Sequence, residues 1–373
     1  MNLIGCWVVS WAGMFLAAGC QALDPGPSID GVLPADHPRV YVAGRATSPI
    51  TIDGRPSEAV WAKAPRTELY IDIEGQSKPR PDWDTTCAMV WDDEYLYFAA
   101  WLDEPHLWAT LTTRDSIIYR DNDWEIFIDP DGDQVNYAEF EINALGTEFD
   151  LKLTRGYRWG GNYNIAWDME GLRSAVHLDG TLNDPSDVDR GWTIEVAIPW
   201  SCLKPHASGI VCPPRDRNTW FINFSRVQWP LEVVDGAYVK PEGVKEDNWV
   251  WSQQDAIDMH RPEYWGRVQF VDAPPGTQAF VPDSQVLPRT VLRRVQGAIE
   301  QFFDTHGALP QSMADLEGMW RPVVLQTMTA PKLRIEGDSW VVTMVQNLSN
   351  GEHAYWQLGP DCRLTRLIAI ACE

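Results

Sequence analysis

Residues 119–154 read YRDNDWEIFIDPDGDQVNYAEFEINALGTEFDLKLT and contain three runs in which apolar and polar residues alternate. Alternation at every second residue is typical of half-buried β-strands. Asp131-Gly132 lies between the first two runs and favours a tight turn, so these runs are predicted to pair as a hairpin. If the apolar faces of all three runs align, the opposite face carries carboxylates, an amide and an aromatic ring. That face is either the solvated side of an antiparallel sheet or a binding surface.

Short runs of the same kind recur on both sides of this segment. The run Gly191-Trp-Thr-Ile-Glu-Val-Ala-Ile-Pro-Trp200 alternates most clearly, and little of residues 45–272 has helical spacing. About twelve short strands separated by turns indicate a β-sandwich or a β-barrel. We therefore predict a mainly β fold, an antiparallel β-sandwich over residues 45–272.

The sequence changes character after this region. A Pro-rich linker over residues 273–287 is followed by apolar residues at helical spacing from Val291 to Phe303, and Gly307 is a favourable residue to end that helix. Alternating runs come next, as in a small antiparallel sheet. We predict a small α+β domain over residues 288–373, whose role the sequence does not reveal. A protein partner for this domain is one hypothesis.

Composition excludes some functions. The chain has 373 residues with 30 Lys and Arg against 53 Asp and Glu, for a formal net charge of −23. Nucleic acids and anionic lipid surfaces attract positive charge, so neither is an expected partner. Trp is unusually frequent, with 20 residues against 11 Phe and 11 Tyr. Because the C–H face of a sugar ring stacks well on indole, this excess favours a carbohydrate ligand.

The N-terminal segment predicts export. Residues 1–20 form an apolar stretch too short to be a good membrane-spanning helix. Its end, Leu16-Ala-Ala-Gly-Cys20, resembles the lipobox of bacterial lipoproteins, in which the Cys is lipidated. Residues 21–44 are then expected to be a flexible tether. The protein is predicted to be a membrane-anchored lipoprotein of the bacterial cell envelope, with secretion after cleavage of an ordinary signal peptide as the alternative.

Export permits disulfide bonds. Cys202 and Cys212 flank one loop, and Cys362 and Cys372 flank a short strand-like run. Both pairs are candidate disulfides, which leaves Cys87 as a buried free thiol. The connectivity stays open on sequence alone.

Familiar catalytic motifs are absent from the sequence, including the serine hydrolase, zinc protease and nucleotide-binding fingerprints. Paired carboxylates are nevertheless available, because Glu125 could lie near Glu139 or Glu141. A glycosidase needs two carboxyl groups about 5–9.5 Å apart across a sugar. Hydrolysis of O-glycosyl bonds by these residues is therefore an enzymatic alternative.

The turn Asp129-Pro-Asp-Gly-Asp133 is rich in the oxygen ligands that Ca²⁺ prefers. It departs from the EF-hand pattern, and many Asp-rich turns are simply solvated. We consider Asp129, Asp131 and Asp133 candidate ligands of a structural Ca²⁺. No organic cofactor is expected.

Seven segments in chain order resemble the family 9 carbohydrate-binding module and its bacterial relatives. They are Ile52-Asp-Gly54 with Glu58-x-x-Trp61, Trp91-Asp-x-Glu-Tyr-Leu-Tyr-Phe98, Asp123-Trp-Glu-Ile-Phe-Ile-Asp129, Tyr137-x-Glu-Phe-x-Ile-Asn143, Gly191-Trp-x-x-Glu-x-Ala-Ile-Pro-Trp200, Asn223-Phe-Ser-Arg226 and Trp265-Gly266. The resemblance implies a β-sandwich that binds sugars without cleaving them, commonly with structural calcium. Many members accompany xylanases and other plant-polysaccharide hydrolases.

The resemblance also implies site residues. In the family, two aromatic rings sandwich a sugar whose hydroxyls bond to a Glu, an Arg and amides, which places Tyr119, Glu125 and Asn143 in the site. The Arg of the family falls on Glu141, which removes a cationic donor but leaves Glu141 as a candidate to hydrogen-bond the sugar hydroxyls. Arg226, on a neighbouring predicted strand, is a candidate replacement.

The second aromatic ring of the family falls near Met259-His260. His260, Trp249 and Trp251 are candidates to replace it, and Trp159 in a Gly-rich loop is expected to be exposed. Core packing is the alternative reading for each Trp, and Trp192 and Trp200 are predicted to be core residues.

The sequence therefore favours non-catalytic binding of a plant-type polysaccharide or oligosaccharide in carbohydrate catabolism. The rivals are the glycoside hydrolase and a haem-binding redox domain of related fold, for which Met169, Met259 and His260 are conceivable axial ligands. A scaffold or adhesin that has lost sugar binding is a further rival.

Overall fold

The structure is a computed structural model that describes residues 38–207, 210–282, 286–320, 327–348, 350–360 and 364–369. It contains a large β domain followed by a small α+β domain, as the sequence predicts. The signal-like segment and Cys20 lie outside the described residues, as do Cys362 and Cys372.

The β domain is built on thirteen strands that form one sheet. The first seven are β1 (Val40–Arg45), β2 (Ile71–Asp72), β3 (Thr85–Trp91), β4 (Tyr95–Asp103), β5 (Asp123–Asp129), β6 (Val135–Asn143) and β7 (Glu148–Arg155). The others are β8 (Tyr163–Asn164), β9 (Arg173–Asp179), β10 (Gly191–Pro199), β11 (Thr219–Gln228), β14 (Asp247–Val250) and β15 (Gly266–Val271). A separate hairpin consists of β12 (Glu232–Val234) and β13 (Ala237–Val239), and α1 (Trp200–Leu203) is a single helical turn.

The sheet is mixed, which corrects the prediction of a purely antiparallel sandwich. Its main path is β8-β7-β6-β5-β11-β15-β1-β3-β4-β10-β9, and β1 runs parallel to both β15 and β3. Alternation in the sequence marks a strand but not the direction of its neighbours, so this pairing was not predictable. The strand β1 also begins at Val40, so the predicted tether over residues 21–44 extends too far.

The sheet curls so that strands from both ends of the path share one core. Ile126 of β5 and Phe140 of β6 pack in the same cluster as Phe98 of β4. Trp192 and Trp200 lie in this cluster and are almost fully buried, which confirms them as core residues.

The C-terminal domain packs one helix against a four-stranded sheet. Its elements are α2 (Val286–His306), β16 (Lys332–Glu336), β17 (Ser339–Asn347), β18 (His353–Leu358) and β19 (Leu364–Ala369), with strands in chain order. Val291, Val295 and Ile299 line the buried side of α2, as their spacing predicts. The helix ends before Gly307, which has a positive φ of 67° and donates its N–H to the carbonyl of Phe303. Within the described ranges, no helix combines the length and hydrophobicity needed to cross a bilayer.

Two arginines join the domains. Arg289 Nη1 of α2 donates to the carbonyl of Asp131 at 2.6 Å, and Arg293 Nη2 donates to the carbonyl of Asp133 at 2.7 Å. Both carbonyls belong to the turn between β5 and β6, so the helix holds the Asp-rich turn through its backbone.

The described cysteines are free thiols. Cys202 Sγ lies 2.9 Å from the carbonyl of Glu170, and Cys212 Sγ lies 3.5 Å from the carbonyl of Trp200. The prediction of a bond between Cys202 and Cys212 is therefore wrong for this structure, because each sulfur faces a backbone carbonyl instead of the other sulfur. Cys87 is a buried free thiol, as expected.

Candidate functional site

The distribution of apolar and polar side chains over the two faces of β5, β6 and β7 differs from the one expected from the sequence. Glu125 pairs with Glu141, and Glu141 pairs with Phe149 on β7. Directly opposed residues on neighbouring strands point to the same face. The apolar residues of β7 therefore lie beside the glutamates and not beside the core residues of β5, so the alignment of all three apolar faces considered from the sequence does not occur. The register across the β6–β7 turn, which periodicity does not specify, decides this.

The result is a face with both carboxylates and apolar side chains. It forms the floor of a cleft with a volume of about 500 Å³. The floor consists of Glu125, Phe127, Glu139, Glu141, Phe149 and Leu151. The walls include Ile117, Tyr119, Tyr157, Tyr163, Ile165, Ile257, Asp258 and His260. The cleft thus brings together Tyr119, Glu125, Glu141 and His260, four of the residues proposed from the sequence.

The glutamates of the floor are almost fully buried. Glu125 and Glu139 are each 5% exposed and Glu141 is 3% exposed. Burial raises the pKa of Glu125 to about 7. Burial, with the adjacent carboxylates as a second cause, holds the pKa of Glu139 and of Glu141 well above the usual range. Near neutral pH the floor therefore keeps protons that solvent-exposed glutamates would have lost.

Aromatic rings form much of the wall. Tyr119 is 42% exposed, and its backbone N–H donates to Glu141 Oε2 at 3.2 Å, so the backbone that carries this ring is anchored to the floor. Tyr157 and Tyr163 face each other edge to face, with ring centroids 5.9 Å apart. These exposed rings can contact the apolar face of a ligand that the carboxyl groups hold by its polar edge.

His260 is held at the end of the cleft by other rings. Its Nδ1 lies 3.0 Å from the hydroxyl of Tyr137, and its ring centroid lies 4.4 Å from that of Tyr157. Burial lowers the pKa of His260 to about 4, so the ring is neutral at pH 7. It can act as a neutral partner of a ligand but brings no positive charge.

Asn143 lies outside the cleft, which corrects its assignment as a sugar ligand. Its Nδ2 donates to the carbonyl of Leu111 and to Asp121, and its Oδ1 accepts from the amides of Leu145 and Thr147. The amide is fully buried and organises the β6–β7 turn.

Arg226 also lies outside the cleft. It is one residue from Ser225, which pairs with Glu125, and therefore points to the opposite face of the sheet. There its guanidinium bonds to Thr85, Glu104 and Gln228. The prediction that Arg226 replaces a cationic sugar ligand is wrong.

The tryptophan candidates are structural where the structure describes them. Trp251 is fully buried in the main core and donates its indole N–H to Glu68 at 2.9 Å, which corrects its assignment to the site. Trp249 is also a core residue. The side chain of Trp159 lies outside the described part of the chain.

Sequence reasoning missed several residues of the cleft. Tyr157 and Tyr163 belong to the same Gly-rich aromatic loop as Trp159, so the composition of that loop was a usable signal. Phe127 could also have been predicted from the sequence, because it is an aromatic residue on the polar side of its strand. The contributions of Phe149 and Leu151 depend on the register of β7 and had no comparable signal.

The Asp-rich turn places three carboxylates together. Asp129, Asp131 and Asp133 each offer one oxygen within 4.8 Å of the others. Asp129 also accepts the backbone N–H groups of Gly132 and Gln134. Burial, followed by repulsion from the neighbouring aspartates, raises the pKa of Asp129 to about 7 and that of Asp131 to about 9. A bound cation would relieve this repulsion.

The haem ligands considered from the sequence do not all face one cavity. Met169 packs in the main core, whereas Met259 and His260 both line the cleft. The arrangement therefore offers no axial pair that includes Met169.

Two curated relatives match about a third of the chain. The endo-1,4-beta-xylanase A of Thermoanaerobacterium saccharolyticum is 28% identical over 127 residues, which is 34% of this chain and 9% of the relative. The exoglucanase XynX of Acetivibrio thermocellus is 27% identical over 119 residues, 32% of this chain and 9% of the relative. The match thus covers about a tenth of the length of these enzymes.

Among solved structures, a family 9 carbohydrate-binding module from Caldicellulosiruptor kristjanssonii in complex with cellotriose aligns with 66% of this chain and 100% of its own. The TM-score is 0.41 at 13% identity. The family model described as carbohydrate family 9 binding domain-like matches residues 52–273, more than half of the chain. The protein therefore belongs to the carbohydrate family 9 binding domain-like family.

Proposed function

We propose that the protein binds a polysaccharide or oligosaccharide in the cleft and does not cleave it. The observation that carries this proposal is the combination of buried glutamates and exposed tyrosine rings in one cavity. A sugar has hydroxyls at its edge and an apolar C–H face, and the cleft offers complementary groups for both. Membership of the family supports the same ligand class. Plant-type glycans are the natural first candidates, given the two partial relatives.

The arrangement of the carboxyl groups supports binding without hydrolysis. Glu125 and Glu141 lie opposite each other on adjacent strands, with oxygens within 4.8 Å. Glycosidases place two carboxyl groups on either side of the scissile bond, about 5–5.5 Å apart in retaining enzymes and 6.5–9.5 Å apart in inverting enzymes. Neighbouring side chains on one floor contact a sugar from the same side instead. A hydrolase built on Glu125 and Glu139 or Glu141 is thus the weaker alternative.

We propose Ca²⁺ as a structural ion at Asp129, Asp131 and Asp133. The donor set fits, because Ca²⁺ binds carboxylate oxygens and a turn can supply several of them. The neighbouring Gln134 is fully buried, and neither its Oε1 nor its Nε2 has a hydrogen-bond partner among the described atoms. The ion would neutralise the turn on which α2 docks.

We also propose that the protein is exported and anchored by a lipid on Cys20, on the basis of the motif Leu16-Ala-Ala-Gly-Cys20. The test is fractionation of cells that produce the full chain. The wild type should sediment with membranes, and Cys20→Ser should not. Equal distribution of both proteins would contradict the anchor.

Calorimetric titration with xylo-, cello- and other oligosaccharides tests the binding function. We expect weak to moderate binding, because each neutral hydrogen bond contributes only about 0.5–1.5 kcal/mol against water. Tyr119→Ala should weaken binding about tenfold, which corresponds to about 1.4 kcal/mol. The matched control is Tyr355→Ala on the C-terminal sheet, which should leave binding unchanged. Absence of heat with every glycan, with or without Ca²⁺, would refute the proposal.

A further inference from the structure

The floor of the cleft carries acidic groups without basic partners. In the part of the chain that the structure describes, no Lys or Arg lines the cleft. The pKa values of Glu125, Glu139 and Glu141 are shifted by burial, by the three carboxyl groups acting on one another, and by Asp123 and Ser225. No basic side chain is among these causes. Charges buried in proteins are normally paired, so this floor is unusual.

Acidic residues at the rim differ from those of the floor. Asp115 has Arg114 Nε at 3.7 Å, and Asp258 has Arg158 Nη1 at 4.0 Å. The His260 ring beside them is neutral at pH 7. The protein thus supplies positive charge at the rim and none that reaches the floor.

An unsatisfied oxygen points to a missing donor. Glu139 is only 5% exposed, lines the cleft, and has no hydrogen-bond partner for its Oε2 among the described atoms. On the same face of the sheet, Asp123, Glu125 and Glu141 each place one oxygen within 4.8 Å of the others. An ammonium group has three N–H donors and one positive charge. It matches this cluster of acceptors better than a hydroxyl, which has one donor and no charge.

The rest of the cleft indicates which kind of molecule carries the ammonium group. The cavity of about 500 Å³ is far larger than an ion, and Tyr119, Tyr157 and Phe149 present apolar surface to it. A metal ion would use the oxygens alone, whereas an organic ring would use both surfaces.

We propose that the cleft selects a sugar with a free, protonated amine, whose ammonium lies on the glutamate floor and whose ring lies against the tyrosines. This inference rests on the carbohydrate-binding function proposed above and narrows its ligand class. When the ammonium binds, a floor carboxyl group that holds a proton releases it to solvent, because the ionised form pairs with the cation. Binding of a neutral sugar requires no such release.

The test is calorimetry of the full chain slightly below the pKa of Glu125, which is about 7. The ligands are glucosamine, N-acetylglucosamine and glucose oligosaccharides of equal length, each in two buffers with different ionisation heats. The amine should bind about tenfold or more tightly than either neutral ligand, because hydrogen bonds to charged groups are stronger than those between neutral groups. Its heat alone should depend on the buffer.

Several results would overturn the inference. Equal or tighter binding of the neutral sugars would refute the selectivity while leaving carbohydrate binding intact, whereas no binding of any glycan would refute both. A heat independent of the buffer would contradict proton release. Displacement of the amine oligosaccharide by Ca²⁺ at equal stoichiometry would identify the floor as a metal site instead.

Matched variants test which residues cause the preference for the amine. Glu139→Gln and Glu141→Gln preserve shape and should each bring the ratio of the affinity for the amine to the affinity for the neutral sugars close to one. Asp179→Asn removes an exposed charge on β9 and should leave the preference unchanged. Retention of the full preference in both glutamate variants would contradict the proposal. The selectivity of the wild type decides the question even if one variant folds poorly.

Discussion

The β domain buries charge in two places, and only one of them is balanced by the protein. On the core side of the sheet, Arg226 and Glu104 are 1% and 2% exposed and lie 3.1 Å apart, within a network of further hydrogen bonds. On the cleft side, Glu125, Glu139 and Glu141 are buried without a cation. Burial alone therefore does not distinguish structural from functional charge. The missing counter-charge is what marks the cleft as a place for a ligand.

The largest expected effect on stability comes from removing one partner of the buried ion pair between Arg226 and Glu104. Glu104→Ala leaves the guanidinium of Arg226 buried without its partner and should lower the free energy of unfolding by about 3–5 kcal/mol. Urea unfolding followed by circular dichroism measures it. On the cleft side, Glu141→Gln should be neutral or stabilising, because it replaces a buried carboxyl group that has no basic partner with a neutral side chain of the same shape. Comparable losses in the two variants would show that the regions do not differ.

A smaller effect concerns pH. The pKa of Glu125 in the folded protein, about 7, lies above its ordinary value of 4.5, so the folded state binds the proton more tightly. The stabilisation is complete below pH 4.5 and is lost as the pH rises toward 7, by at most about 1.4 kcal/mol per pH unit. Glu125→Gln should lack this slope. Parallel stability curves for wild type and variant between these pH values would contradict the raised pKa.

The smallest effect extends the comparison to the Asp-rich turn, a third acidic region whose cation we propose to be Ca²⁺. Ca²⁺ at about a hundred times its Kd should stabilise the wild type by about 2.7 kcal/mol, visible as a higher Tm. Asp131→Asn should respond less, while Asp179→Asn should respond as the wild type does. A Tm independent of Ca²⁺ in the wild type would rule out the site.

Sequence reasoning predicted the fold class, the second domain and part of the cleft, because alternation and motif order report local structure directly. It placed Tyr119, Glu125, Glu141 and His260 correctly within one cavity. It failed for Arg226, which is one position away from the cleft face, since a strand side chain reverses its face with each residue. It also failed for the apolar half of the floor, where the register of β7 brings Phe149 beside Glu141.

The cysteines and the parallel strand β1 also show that local sequence patterns do not predict contacts between distant parts of the chain. Spacing made a bond between Cys202 and Cys212 plausible, but the directions of the two sulfurs depend on packing that no local pattern encodes. The strand β1 pairs with β15, far away in the chain, and no local pattern in its sequence sets the direction of that pairing.

The most direct test of carbohydrate binding in the cleft is a crystal structure with the tightest-binding oligosaccharide from calorimetry. We expect a sugar ring against Tyr119 with its polar edge on Glu125 and Glu141, and the Arg226 network unchanged. A sugar bound only elsewhere on the protein, with the cleft free of ligand, would contradict it.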